Sequence, residues 1–147
     1  MRVSVQEEPF DLAAEAGQCA QGEGASGAIV TFTGVVRDNE AGTLQAMEIE
    51  HYPGMTEKAL REIAQQAVER FDLEDVLVIH RYGRLVPGAQ IMMVATAAKH
   101  RRAAFGAADV LMDYLKSRAP FWKREITGEG ASWVDAKEAD EEALARW

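Results

Sequence analysis

Two stretches of this sequence space their apolar residues at a helical interval, while four others are runs of β-branched and apolar residues, so one chain mixes two incompatible periods. Thr56 to Phe71 sets Ala59, Leu60, Ile63, Ala64, Ala67, Val68 and Phe71 three and four apart, which is one face of an amphipathic helix. Pro53-Gly54 marks the turn into it, and the Thr56 hydroxyl is placed to accept from an orphan N–H as the N-cap. A second helix, from about Arg101 to Arg118, aligns Ala104, Phe105, Ala108, Leu111, Met112 and Leu115. Pro120 ends it, because the residue before a proline is pushed out of the α region. Around these lie four expected strands: Gly27 to Arg37, Leu44 to His51, Val76 to Tyr82, and Ile91 to Ala97, the last reading as buried on both faces. Asp11 to Ala20 and Ala136 to Arg146, rich in alanine and acid, read as weaker surface helices.

Strands and helices do not alternate strictly, which favours an α+β class: helices packed on a mixed, largely antiparallel sheet, hammerhead-like in outline. At 147 residues, a single domain over 1–147 is the expectation. Apolar residues at 48% and charged residues at 27% are the balance of a globular chain. Cys19 is the only cysteine, so neither an intrachain disulfide nor a multi-thiolate metal site can form, and a reducing compartment fits. Its alanine-rich surroundings suit a small packing residue rather than a nucleophile. No apolar run reaches the roughly 18 residues of a membrane span, and Glu7, Glu8 and Asp11 do not suit a signal peptide. The expectation is a cytoplasmic protein with no membrane partner. A net charge of -8 also argues against a nucleic-acid partner, which needs a basic face.

Several spellings fail on context. Gly22-Glu-Gly-Ala-Ser-Gly27 matches G-x-G-x-x-G, but a dinucleotide site needs a strand before it and a helix after it, and here a strand follows. It reads as a glycine-rich lead-in to that strand. His51, His80 and His100 stand singly, with no metal-binding spacing around them, so no metal and no cofactor is expected.

The charge distribution is more informative than its sum. Between Lys99 and Arg124 seven Lys and Arg face only Asp109 and Asp113 in an otherwise acidic chain. Lys99-His100-Arg101-Arg102 opens the second helix, whose N-terminal partial charge disfavours cations. The cluster either splays into water or binds a phosphate or carboxylate through arginine forks, imidazole and exposed N–H groups. Lys116 and Arg118 near the helix C-terminus are what dipole complementarity predicts. Lys123, beyond the proline, has no such role. The loop after Pro120 can return it toward Lys116, and a lysine held among cations in a partly desolvated pocket has a lowered pKa and is a better nucleophile or proton acceptor. Phe121 and Trp122 are candidates to wall that pocket.

Four segments together carry a family resemblance: Thr31-Phe-Thr-Gly-Val-Val-Arg37, Glu50-His-Tyr-Pro-Gly-Met-Thr-Glu-Lys-Ala-Leu60, His100-Arg101, and Met112-Asp-Tyr-Leu-Lys-Ser-Arg-Ala-Pro-Phe-Trp-Lys-Arg-Glu125. The chain closely resembles the large, catalytic subunits of molybdopterin synthase from about Gly27 to Trp147. The resemblance implies a sulfurtransferase of molybdenum-cofactor biosynthesis, converting cyclic pyranopterin monophosphate into the dithiolene of molybdopterin. It implies a small ubiquitin-like partner whose C-terminal Gly-Gly thiocarboxylate delivers the sulfur, and a homodimer of large subunits at the core of a heterotetramer.

Carried over by position, the family's catalytic lysines fall on Lys116 and Lys123, and its anion-binding groups on Arg37, His100 and Arg101. Val35, Val36, Arg124 and Glu125 belong to the same motifs and are expected to line the substrate pocket. Lys137 is expected to reach a neighbouring subunit's site. One position departs: Val35 stands two before Arg37, where close relatives are expected to carry a basic residue, so its backbone rather than its side chain is the expected lining. A rival reading makes the same basic groove a non-catalytic dock for an acidic or carboxylate-ended peptide. A phosphoesterase-like hydrolase is a third, but the sequence offers it neither a positioned nucleophile nor a metal motif.

Overall fold

In the computed structural model, residues 1–19, 22, 24–134 and 138–147 are described. In chain order they form β1 (Arg2–Gln6), α1 (Leu12–Cys19), β2 (Ala28–Val35), β3 (Ala46–His51), α2 (Met55–Phe71), β4 (Asp75–Arg81), β5 (Gly83–Leu85), β6 (Gln90–Ala98), α3 (Arg101–Ser117), β7 (Phe121–Thr127), β8 (Gly130–Val134) and α4 (Glu138–Leu144). The class is α+β as expected, but the strands divide into two four-stranded sheets, ordered β1-β4-β6-β2 and β5-β3-β7-β8. Every pairing is antiparallel except β1 with β4.

The first sheet is covered on both faces, which explains the unbroken apolar runs of β4 and β6. Side chains alternate across a strand. Val76, Val78 and Val94 therefore meet Leu60, Ala64 and Ala67 of α2 and Ala104, Ala107, Ala108 and Leu111 of α3. Leu77, Ile79, Met93 and Ala95 face the other way, onto Cys19, Phe10 and Leu12. Cys19 is thus a packing residue, and burial with Asp75 nearby pushes its thiol up to about 11. The alanines of α3 bring its axis close to the sheet. Gly106 does the same toward α2, since a Cβ there would stand 2.8 Å from the Phe71 ring. The second sheet has a smaller core of Val36, Leu44, Ile49 and Leu85.

Thr56 corrects one expectation. Gly54 occupies the cap position of α2 without a side-chain cap bond, and Thr56 lies fully buried within the first turn. Its Oγ1 accepts from the Tyr52 N–H at 2.8 Å and donates to the Pro120 carbonyl at 2.9 Å. The hydroxyl thus ties the start of α2 to the turn between α3 and β7. Among the described residues, helix α1 rather than a strand precedes the glycine-rich stretch and β2 follows it, and Gly27 packs so tightly that a Cβ would meet the Lys99 carbonyl oxygen at 2.4 Å. Among the described residues, no helix is long and apolar enough to cross a membrane.

Candidate active site

Helix α3 stops at Ser117, where the N–H groups of Arg118 and Ala119 both bond the Tyr114 carbonyl, at 2.8 and 3.0 Å. With Pro120 held by Thr56, the chain enters an extended segment at Phe121. The expected loop is strand β7, paired with β3 on one side and β8 on the other. Phe-Trp-Lys-Arg-Glu-Ile-Thr shows no apolar alternation because one face of the strand is charged for a purpose other than packing.

That face opens on a cavity of about 470 Å³ between the two sheets and the C-terminal end of α3. Strand β2 contributes Phe32, Thr33, Gly34 and Val35, β4 its final histidine His80, and β6 Ile91 and Met92; α3 contributes Met112, Leu115 and Lys116, and β7 contributes Lys123 and Glu125. Arg37, just past β2, completes the charged part. Three cations therefore share the space with the single carboxylate of Glu125. Such a cavity attracts anions, and its apolar walls lower the local dielectric and strengthen that attraction. Burial, and then repulsion from Lys116, lower the Lys123 pKa to about 8, with Asp140 partly opposing. About one such amine in ten is unprotonated at pH 7, which suits it to trade protons near neutrality.

The structure brings Val35, Arg37, Lys116, Lys123 and Glu125 together and leaves four expected residues outside the cavity. Val36 is a core residue of the second sheet, 2% exposed. Arg124 points to the opposite face of β7, where it pairs with Glu48 and stacks over Trp133 at 5.4 Å. His100 and Arg101 sit at the N-terminal end of α3, about 22 Å from Lys116 at 1.5 Å of rise per residue. Both are exposed, and the nearest ion pair of their cluster is a solvated one, Lys99 with Asp72 at 4.0 Å. The basic stretch from Lys99 to Arg124 is thus two groups at opposite ends of one helix. Lys137 lies outside the described residues. Phe121 is half-buried beside the cavity, whereas Trp122 is exposed and packs near Tyr52, with ring centroids 5.7 Å apart.

His80 was invisible to motif spacing. It is 2% exposed, its Nδ1 lies 2.8 Å from the Arg81 carbonyl oxygen, and its ring stacks on Phe121 with centroids 3.7 Å apart. Burial, with smaller contributions from Lys123 and Lys116, lowers its pKa to about 3. The available signal was strand alternation: a polar residue two past Val78 and four past Val76 falls on the face those valines turn toward α2 and α3.

Comparison with known proteins gives a consistent result. A family model described as MoaE protein matches residues 5–118. A curated relative from Cereibacter sphaeroides, described as a molybdopterin synthase catalytic subunit, is 66% identical over 147 residues and is matched along all of both chains. The solved molybdopterin biosynthesis MoaE protein of Burkholderia ambifaria superposes with a TM-score of 0.85 at 50% identity, covering 99% of this chain and 97% of that one. A complex of subunits 1 and 2 of the molybdopterin-converting factor from Helicobacter pylori shares the fold, with a TM-score of 0.72 at 19% identity over 92% of this chain and 90% of that one.

Proposed function

The chain belongs to the MoaE protein family, and from that premise we propose that it is the catalytic subunit of a molybdopterin synthase. In this reading it is a cytoplasmic sulfurtransferase that moves two sulfurs from the C-terminal thiocarboxylate of a small ubiquitin-like partner onto cyclic pyranopterin monophosphate, making the dithiolene. The observation that carries it is the convergence of Arg37, Lys116 and Lys123 on one cavity in which Lys123 is held at about 8.

Both reactants are anions, and the cavity's excess of positive charge suits them. Arg37 offers a fork that binds a phosphate or thiocarboxylate through paired N–H donors. As the thiocarboxylate sulfur bonds to a substrate carbon, the displaced oxygen needs a proton, and Lys116 or Lys123 is placed to give it. Water then cleaves the acyl–sulfur bond, leaving sulfur on the pterin and a carboxylate on the partner. The neutral Lys123 amine is suited to take the proton from that water. Either lysine is also a candidate to hold the partner's acyl group covalently.

His100 and Arg101 enter this scheme only through a second copy. Their distance from Lys116 along α3 favours a homodimer in which one protomer's helix start reaches the other's cavity, with a small partner on each flank. The two-subunit complex from Helicobacter pylori is in keeping with such an assembly.

The test is reconstitution. Mixed with a thiocarboxylated small subunit and the cyclic pterin, the protein should form molybdopterin; absence of product from components proven active with another synthase would reject the assignment. Lys123→Ala should abolish product while partner binding persists. A docking module without catalysis would instead retain most function in that variant.

A further inference from the structure

Strand β2 lies at the end of the first sheet: β6 pairs with one edge of it, and among the described residues no strand pairs with the other. At eight residues it is the longest of the four edge strands, the others having five, three and five. Ala-Ile-Val-Thr-Phe-Thr-Gly-Val holds no charge and no proline, and its Ile29, Phe32 and Val35 are 39%, 43% and 49% exposed. A long apolar edge left open recruits another strand, which is why soluble proteins guard their edges with charges, prolines, bulges or a covering element. The one such device here is a break in register between Gly34 and Val35, at the far end of the strand.

The two ends of β2 have different neighbours. Ala28 pairs with Ala98, and the Gly27 N–H bonds the Ala98 carbonyl at 2.9 Å, so the strand begins beside the start of α3, where His100 and Arg101 stand. Val35 lines the cavity with Arg37, Lys116 and Lys123. At 3.3 Å per residue the strand spans about 23 Å, which matches the separation of about 22 Å between Arg101 and Lys116 along α3. Helix α3 packs on both β2 and β6. Its Gly106 and Val110 face α2, whereas Phe105, 61% exposed, lies on the side turned away from α2.

We propose that the open edge of β2 pairs antiparallel with the β2 of a second copy of this chain, joining two four-stranded sheets into one of eight strands. Two identical strands paired in this way are related by a twofold axis perpendicular to the sheet. Such an axis keeps each face of the sheet on its own side, so both α3 helices lie on one face and run antiparallel across the joint. With the axis at the middle of the strand, near Thr31 and Phe32, the Ala28 end of each copy meets the Val35 end of the other. His100 and Arg101 of one copy then stand beside Arg37, Lys116 and Lys123 of the other, on the face where the cavity opens. A parallel pairing would set like ends together and leave the two basic groups apart. The pairing itself rests on the edge and its geometry, whereas its catalytic consequence rests on the sulfur-transfer reading above.

The deciding measurements use the whole free protein and need no turnover. Light scattering at micromolar concentration should give the mass of two chains. Thr31 is exposed, and Thr31→Lys sets like charges against each other at the axis; it should weaken self-association about a hundredfold while the circular dichroism stays that of the folded chain. Thr31→Cys should be linked into a covalent dimer by a short bismaleimide, whereas Ser132→Cys, on the open edge of β8, should stay single; Cys19 is buried and does not compete. A wild type with the mass of one chain, a Thr31→Lys protein that dimerises as well as the wild type, or a Thr31→Cys protein that is not linked would each overturn the pairing. Should Thr31→Lys fail to fold, the cross-linking result decides. In reconstituted synthase, Thr31→Lys should lose turnover in step with its dimer, and a monomer as active as the wild type would overturn the completion of the site by the second copy. A linked dimer that makes no molybdopterin with components proven active would reject the sulfur-transfer reading and leave the interface standing.

Discussion

Lys123 illustrates how much of a residue's chemistry comes from groups distant in sequence. Its shift has two removable causes, burial and the charge of Lys116. Lys116→Met should therefore raise the Lys123 pKa from about 8 part of the way toward 10.5, which NMR titration of the free protein reads directly; an unchanged value would mean that burial alone sets it. For His80 the sign runs the other way in stability. Its folded pKa of about 3 lies below the ordinary 6.5, so between these values the unfolded chain binds a proton that the native protein does not. The contribution is complete above pH 6.5 and is lost as pH falls toward 3, by up to about 1.4 kcal/mol per pH unit. Denaturation curves across that range should show this slope in the wild type and lose it in His80→Phe. The His80 shift is not legible in sequence, since its burial and the two lysines that lower its pKa come from elements far along the chain, whereas the lowered Lys123 pKa is expected from its return toward Lys116. The lysine was noticeable there because it lacked a structural reason for its place.

At the scale of elements, the helices α2 and α3 follow from apolar periodicity, because each buries one face, and β2, β3, β4 and β6 follow from runs of β-branched and apolar residues. Strands β5, β7 and β8 carry no such signal. Strand β5 is three residues long, all five residues of β8 are exposed, and β7 turns one face to a charged cavity. Strands β5 and β7 pair with β3, far along the chain, and β8 pairs with β7 across a tight turn, so their formation depends on the sheet rather than on their own composition. Thr56 is one of the devices that delivers β7 to its place. Thr56→Val, which keeps the shape but removes the hydroxyl, leaves the Tyr52 N–H and the Pro120 carbonyl without their partner. It should cost about 2 to 4 kcal/mol, seen as a lowered midpoint in chemical denaturation, and should disturb the Phe121–His80 stack. A loss below about 0.5 kcal/mol would show that the turn is held by other contacts.

For the whole molecule, the telling fact is the length of α3. Its rise separates His100 and Arg101 from Lys116 by about 22 Å, so a site using all of them requires two copies of the chain. If so, Arg101→Ala and Lys123→Ala should each be inactive alone, while an equimolar mixture allowed to exchange protomers should regain about a quarter of wild-type molybdopterin formation, because one site in four then combines an intact Arg101 with an intact Lys123. No recovery after confirmed exchange would place both residues in the same protomer's site or remove Arg101 from it. By itself, the sequence determined the α+β class, the two main helices and the central strands, and the residues whose motifs mark the family, since period and motif are local properties of the chain. Only the tertiary structure decided that the basic stretch is two separate groups, that Arg124 and Val36 turn away from the cavity, and that His80 turns toward it. Those outcomes depend on strand pairing and side-chain alternation, which bring residues such as Arg37, His80 and Lys123 to one surface across distances no local pattern records.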